Sequence, residues 1–327
     1  MNLDFSGKKA LVIGDVMLDQ YAYHISRGQS PEAPVPDLLE EDDHIESKLG
    51  GAANVAANLQ ALGIETALAG VIGHDLTAEI FKDLLGDINF IPFVDENRPT
   101  TRKKRILASS KAHPPYQIVR LSRESTEPIS PELQSEVISK LSEEMKSAHI
   151  LVFADYNKGF LTERIIKELK HLLPIPKVVD TKPQKIGLYK GWKFGGDLWL
   201  KPNIKEVEEI TGIPYNGLED KYTLRATGEF LFNRFYPSNV LLTLGSDGMI
   251  LYTSPTEFHY LPARQIENAD VSGAGDTVNA ALAAAIANNY TPLESATIAN
   301  YAASVVVEKR GTATCSLEEL TEAMKDE

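Results

Sequence analysis

The amino-acid sequence predicts an α/β fold: a mostly parallel central sheet covered by helices on both faces, carrying a small β-sheet lid. Three observations predict it. Short apolar runs recur along the 327 residues, each ending in a polar residue or glycine and leading into a helical pattern, as strands buried on both faces do. Two helices open directly from glycine turns, at Gly50-Gly51 and at Gly273-Ala274-Gly275. Two stretches, about 20–48 and 92–123, break the alternation with prolines, charges and period-two patterning.

Taken in order, Lys9–Gly14 (KALVIG) is a buried parallel strand, and Asp15 and Asp19 follow at its carboxyl end, where open α/β sheets place their ligands. The prolines of Ser30–Pro36 (SPEAPVP) exclude a helix and suit an edge strand or extended arm. Leu38–Lys48 is acidic and loosely alternating, as in a small exposed sheet. Leu49–Gly63 reads as a glycine turn opening a helix that closes at Gly63, with Asn54 one turn inside its start. Thr66–Gly73 is a second strand and Asp75–Leu85 its helix. Phe90–Leu121 then departs from helix–strand alternation, with period-two stretches at Thr101–Ala108 and Tyr116–Leu121. Alternation resumes with a helix over about Pro131–Ser147, strand Ile150–Asp155, helix Thr162–Leu173 and strand Lys177–Asp180. Leu198–Asn203 precedes a helix at Ile204–Thr211, and Val240–Gly245 precedes a strand at Met249–Thr253. Two alanine-rich helices, about Thr277–Asn288 and Leu293–Val307, come before a charged amphipathic tail from Ser316.

A hydrophobic content of 43% is enough for a large core, and a net charge of −13 opposes non-specific binding to nucleic acid or an anionic membrane. An anionic substrate needs a local basic cluster, and Arg102-Lys103-Lys104-Arg105 is one. The single cysteine, Cys315, excludes an internal disulfide and fits a reducing compartment. No apolar run approaches the ~20 residues of a membrane span, and Met1–Lys9 has no apolar leader. A cytoplasmic protein is expected.

The chemistry concentrates in Asn268–Val278. A helix start offers unpaired N–H groups and the positive end of a dipole, and glycines let a phosphate approach the backbone. Asp276 in such a place would repel phosphate, unless it takes a proton from a hydroxyl attacking that phosphate. On this stretch alone Asp276 reads equally well as a helix N-cap.

Together these segments resemble the ribokinase-type carbohydrate kinases, the PfkB family, over nearly the whole chain. Two signatures carry the likeness: Gly50-Gly51 with Asn54, and Asp270-Val271-Ser272-Gly273-Ala274-Gly275-Asp276. Gly14–Asp19 (GDVMLD), Ser30–Pro36, Gly50–Ala56 (GGAANVA), Asp155–Gly159 (DYNKG) and Gly311–Ser316 (GTATCS) are similar to the heptose-7-phosphate kinases within it. Those enzymes phosphorylate the anomeric hydroxyl of D-glycero-D-manno-heptose 7-phosphate, on the way to the ADP-heptose of lipopolysaccharide. Many carry a nucleotidyltransferase part as well, which is not expected within these 327 residues. It departs from their pattern at Arg27-Gly28-Gln29 and at Ser122-Arg123, both in the lid.

The resemblance implies one ribokinase-like domain over 1–327 and an enzyme using ATP and Mg²⁺, with K⁺ beside the anion hole as in many relatives. It makes Asp276 the base, and the N–H groups of Gly273, Ala274 and Gly275 the anion hole. Asp15, Asp19, Gly50, Gly51 and Asn54 would hold sugar hydroxyls; Lys103 and Arg105, with Arg120, would hold the substrate's own phosphate. Asn203 and Glu206 match the Asn-x-x-Glu pattern near Mg²⁺ and the nucleotide phosphates, reached through water because Mg²⁺ keeps much of its hydration. Thr243, Gly245, Ser246 and Gly248 resemble the nucleotide loop, and Asn300 a residue beside the adenine. Asp270, Ser272 and Ser316 stand at the monovalent-cation positions. Lys182 and Lys201 lie near strand ends, within reach of phosphate, though as lone lysines they read first as surface residues.

Competing readings are another sugar or sugar-phosphate kinase of the family, using fructose, ribose or a fructose phosphate, and a silent sugar- or nucleotide-binding regulator. A nicotinamide-dependent oxidoreductase is disfavoured, since Gly14–Asp19 lacks the spaced glycines of a dinucleotide turn. The exposed edges and apolar residues of the lid, Val35 and Leu38 among them, lead to the expectation of a homodimer through it.

Overall fold

The computed structural model describes residues 3–110, 113–170, 174–192, 196–266 and 269–325, excepting the side chains of 41–44, 113 and 114. The chain enters the main sheet as an interior strand, β1 (Lys9–Gly14), and leaves it one residue later as β2 (Val16–Gln29). β3 (Pro36–Gly51) returns and runs straight into α1 (Ala52–Ala61), followed by β4 (Glu65–Ile72), α2 (Leu76–Leu84) and β5 (Asn89–Val94). After β6 (Arg102–Ser110) and β7 (His113–Arg123) come α3 (Pro131–Glu144), β8 (Ile150–Asp155), α4 (Glu163–Leu169), β9 (Lys177–Thr181) and β10 (Leu198–Leu200). Next are α5 (Ile204–Thr211), α6 (Lys221–Phe235), β11 (Asn239–Thr243), β12 (Met249–Tyr252) and β13 (Phe258–Leu261). The chain closes with α7 (Ala274–Ala287), α8 (Pro292–Val307) and α9 (Leu317–Ala323).

Among the described residues the main sheet has the order β13-β12-β11-β10-β9-β8-β1-β4-β5, parallel from β11 to β5 and antiparallel only at β12 and β13. Alternate residues of each strand face opposite ways, which makes two cores. Val12, Val152 and Val178 pack with the alanines of α1, α7 and α8 on one face. Leu11, Ile13, Leu151, Phe153 and Val179 pack with α3, α4 and α6 on the other. Each fully buried Leu, Ile or Val contributes roughly 1.5–3 kcal/mol. In α7, Ala280, Ala281, Ala283, Ala284 and Ala285 are all fully buried, so this helix lies close against the sheet and its neighbours. That packing fixes where its N-terminus ends up.

Helix starts follow local chemistry. Asp75, Ser130 and Thr162 accept N–H groups of their own first turns as N-caps, and Pro131 occupies the first turn of α3, where a missing N–H costs nothing.

The lid is a second sheet in the order β3-β2-β6-β7. It is rooted differently from the sequence-based expectation of 20–48 and 92–123. β2 and β3 reach back to Val16 and Gly51, whereas residues 92–94 belong to β5, the edge of the main sheet, where Pro92 needs no partner on its outer side. The second lid segment begins at Arg102. Of Ser30–Pro36 only Pro36 is strand, the first residue of β3; 30–35 are the exposed turn between β2 and β3, closed by Ser30 N donating to Val35 O at 2.9 Å. The helix expected over Thr162–Leu173 ends at Leu169, with 171–173 outside the described residues. No helix among the described residues is long and apolar enough to cross a membrane.

Candidate active site

The carboxyl ends of β1, β8, β9, β10 and β11 make one rim, and α7 begins above it. Gly273 is the N-cap of α7 at φ 79°, and a Cβ there would sit 2.8 Å from Asn54 Nδ2, so both backbone shape and space require glycine. The helix starts three residues earlier than the sequence suggests, which puts Asp276 inside its first turn. It is therefore not the cap. Asp276 N and Ala274 N donate to Gly273 O and Val271 O at 3.0 and 3.3 Å, whereas Gly273 N and Gly275 N have no bonded acceptor among the described residues. Of the three expected anion-hole amides, Ala274 is the one already partly engaged.

The Asp276 carboxylate is held on both oxygens. Asn54 Nδ2 donates to Oδ2 at 3.0 Å, and the Tyr156 hydroxyl donates to Oδ1. Burial pushes its pKa up to about 6, against the lowering effect of the Tyr156 and Asn54 hydrogen bonds; Asp180 raises it further and Lys201 lowers it. Lys201, only 4% exposed, pairs with Asp180 at 3.1 Å, and its ammonium lies 3.7 Å from where a Cβ on Gly275 would be. Asn279 of α7 donates to Asp180 Oδ2 at 2.8 Å. A buried carboxylate, a buried cation and amides without an acceptor among the described residues thus meet at one helix end.

On the lid side, Asp19 Oδ1 receives Arg105 Nη1 at 2.7 Å, and a Cβ on Gly50 would lie 2.6 Å from Asp19 Oδ2, so the carboxylate rests on the glycine backbone. Gly51, at φ 57°, turns β3 into α1 and thereby places Asn54. Lys103 is the register partner of Asp19 and shares its face of the sheet with Arg105. Burial lowers the Lys103 pKa against the pull of Asp19 and Asp276. Arg120 pairs opposite Arg105, one strand further out, and is exposed. Asp15 Oδ2 accepts Tyr156 N and Lys158 N at 2.8 and 3.0 Å, holding the loop after β8. Its Oδ1 is buried with no hydrogen-bond partner among the described residues, so one oxygen clamps the loop and the other is unpaired.

On the other side, Asn203 and Glu206 form a reciprocal capping box at the start of α5, and Glu206 Oε1 also pairs with Lys182 at 2.7 Å. A carboxylate has about four lone-pair sites, so with two used Glu206 can still meet a hydrated Mg²⁺; the pair fits contact through water and not direct ligation. No cluster of three or more His, Cys, Asp or Glu suited to a metal occurs among the described residues. Thr243 bridges to Asn203 at the same rim. Gly245, Ser246 and Asp247 make a 3₁₀ turn into β12, and a Cβ on Gly248 would collide with Leu261 O, so that glycine is set by packing on β13. Asn300 of α8 donates to Pro262 O at 2.7 Å. Asp270 accepts Gly311 N and Ser272 N at 2.7 and 2.9 Å; burial raises its pKa, but these bonds outweigh it and the net shift is downward. Ser316 is the N-cap of α9, which occupies its hydroxyl with the Glu319 N–H.

The family model for pfkB carbohydrate kinases matches residues 8–320. The chain belongs to the pfkB family of carbohydrate kinases. Within the family it is 35% identical over 324 residues to the bifunctional protein HldE of Trichlorobacter lovleyi, covering 97% of this chain and 62% of that one. With HldE of Paramagnetospirillum magneticum the identity is 36% over 327 residues, covering 98% and 64%. The chain therefore spans just under two thirds of the length of these relatives. Escherichia coli phosphofructokinase-2 in complex with substrates and products superposes with a TM-score of 0.77 at 17% identity, covering 98% of this chain and 99% of that one. Arabidopsis thaliana ribokinase complexed with ribose and ATP gives 0.69 at 19%, covering 97% and 99%. These likenesses show the fold, ribokinase-like α/β, and the phosphotransferase class expected from the two signatures is that of the family.

In this PfkB kinase some rim residues escaped the sequence reading. Asp180 closes an apolar strand at the rim, a signal that was there to be used. Lys201 and Lys182 read as surface lysines, yet Lys201 is buried and both are ion-paired to rim carboxylates. Tyr156 carries no sequence mark of its own beyond lying in the DYNKG stretch. Asn58 is a buried hub: it donates to Asn54 O, Asn54 Oδ1 and Ala313 O, and accepts from Thr277 Oγ1 and Cys315 N, tying α1 to α7 and to the loop before α9.

Proposed function

We propose that this kinase transfers the γ-phosphate of ATP to the anomeric hydroxyl of D-glycero-D-manno-heptose 7-phosphate, giving heptose 1,7-bisphosphate for ADP-heptose and lipopolysaccharide synthesis. The observation that carries the reading is the Asp276 carboxylate, fixed by Asn54 and Tyr156 in the first turn of α7, next to two unbonded amides and Lys201. Asp276 takes the proton of the acceptor hydroxyl as its oxygen attacks the γ-phosphorus and the bond to ADP breaks. Gly273 N, Gly275 N and Lys201 stabilise the negative charge on the transferring group. Mg²⁺, when bound, neutralises charge on the nucleotide phosphates, with Asn203 and Glu206 reaching it through water. Asp270, kept ionised, Ser272 and Ser316 are the candidates for a K⁺ site, the Ser316 hydroxyl keeping a second lone pair beside the one that caps α9. Thr243, Gly245, Ser246 and Asn300 flank the nucleotide.

Asp19, Gly50, Gly51 and Asn54 face the sugar, and Lys103 and Arg105, with Arg120 behind them, receive its 7-phosphate. The heptose-kinase motifs and this inward basic pair support a phosphorylated sugar over a neutral one. Copies pair through the lid. An ADP-release assay over heptose 7-phosphate, fructose, ribose and fructose 6-phosphate, with the product located by ³¹P NMR, tests the reading. Turnover of the heptose phosphate at its anomeric position is expected; turnover of fructose or ribose with none of the heptose phosphate would replace it by another sugar kinase of the family.

A further inference from the structure

We propose that Tyr156 is a positioning residue for the Asp276 carboxylate, holding it in one orientation and in its ionised form. The inference rests on Asp276 acting as the base and adds to it a residue from a different element.

The geometry starts at Asp15. Its Oδ2 accepts both Tyr156 N and Lys158 N, while Asp155 Oδ1 accepts Asn157 N at 3.1 Å and Asn157 takes φ 59°. The loop after β8 is thus pinned at three consecutive amides, and the tyrosine ring, half-buried against the α7 side of the sheet, has one direction to point. Its hydroxyl meets Asp276 Oδ1, while Asn54 of α1 holds Oδ2. The terminal torsion of an aspartate is broad. One donor on one oxygen leaves it free to swing; two donors from separate elements on the two oxygens do not. Two of the roughly four lone-pair sites stay available for an acceptor hydroxyl.

The charge balance points the same way. A buried carboxylate tends to take up a proton, and a protonated base is no base. The groups facing Asp276 are Tyr156 from the loop after β8, Asn54 from α1, Asp180 from β9, Lys201 beyond β10, Lys182 beyond β9 and Lys103 from β6. Asp180 opposes ionisation. Lys201 is committed to Asp180 and Lys182 to Glu206. The neutral donors Tyr156 and Asn54 are therefore the groups bonded directly to the carboxylate that favour its charged form. Burial beside carboxylates also pushes the Tyr156 phenol well above its ordinary pKa, so it stays a donor at every working pH.

The test is Tyr156→Phe in the full chain, with kcat and KM measured across pH 5–9 and Asp276→Asn alongside. Hydrogen bonds to charged groups are the strong ones, so the acid limb of kcat should move to higher pH by about one unit, with kcat falling about tenfold and the sugar KM changing little. A purely structural tyrosine would lower the melting temperature and leave the limb in place. Incorporation of 3-fluorotyrosine at 156, a stronger donor, should move the limb to lower pH and decides the matter should the phenylalanine variant fail to fold. An unmoved limb in a folded variant, with Asp276→Asn inactive, overturns this assignment alone. Asp276→Asn retaining turnover overturns the base itself, and this assignment with it.

Discussion

At the scale of single residues, Asp276 sets function against stability. Its pKa in the folded chain, about 6, lies above the ordinary aspartate value, chiefly through burial. A raised carboxylate contributes stability that is complete below about pH 4 and is lost as pH rises through about 6. Ionised at neutral pH, as the proposed role requires, it therefore costs the fold roughly 3 kcal/mol. Asp276→Asn should lower kcat by ~10² or more while nucleotide binding, followed by calorimetry, stays near wild type. The same variant should melt higher than wild type at pH 8, and the difference should close as the pH falls below about 4. A variant with unchanged turnover, or with a melting difference independent of pH, would contradict the role given to this carboxylate.

At the scale of elements, the decisive joint is where α7 meets α1. Gly273→Ala puts a methyl group into the space of Asn54 Nδ2 at a left-handed φ, a conformation that costs an ordinary residue roughly 1–2 kcal/mol. It should lower stability in urea by about that much and lower kcat further than Asn54→Ala alone, because it disturbs both the amide cradle and the carboxylate's partner. Turnover intact in a folded Gly273→Ala chain would mean that the cradle tolerates a shift it should not. These joints were legible because they depend on local rules: glycine turns, strands ending in polar residues, helices opening behind them. Asn203 and Glu206 were named from the Asn-x-x-Glu pattern alone, and the capping box that the same atoms form at the start of α5 was not read from it. What escaped was tertiary. The burial of Lys201 depends on Asp180, a strand away in the sheet. Helix α6 escaped although it runs unbroken through Gly228, a glycine required by the close approach of Pro255 O and Tyr252 rather than by helix chemistry. β5 looked like part of the lid because Pro92 and Pro99 resemble the prolines further along, and only pairing with β4 assigns it to the main sheet.

At the scale of the whole molecule, the lid is fastened to the catalytic end and open on its far side. Tyr21 accepts Thr312 N at 3.0 Å and Lys48 donates to Arg310 O at 2.9 Å, while Asp270, just before α7, accepts Gly311 N. Lid, C-terminal loop and helix start are one connected set, so loosening the lid should be felt where phosphate is transferred. On the face opposite Lys103, Arg105 and Arg120, the register lines up Ile45, Ala22, Ile106 and Val119 across all four strands, with Leu121 alongside. Ile45, Val119 and Leu121 are 44%, 43% and 53% exposed and Ala22 in the middle of the row is buried, so the strip offers exposed apolar side chains on its two outer strands, of the kind that mark an interaction surface. If copies of the chain pair through this strip, the 36.0 kDa chain should sediment as a dimer. The double substitution Ile45→Glu with Val119→Glu should yield a folded monomer, because charges buried without partners in an interface cost several kcal/mol. Through the contacts of Tyr21 and Lys48, the monomer should also show a raised KM for the sugar phosphate with the KM for ATP nearly unchanged. Wild-type chain sedimenting as a monomer at the concentrations of the assay would remove the lid as an interface, and a monomeric variant with wild-type kinetics would separate the interface from the site.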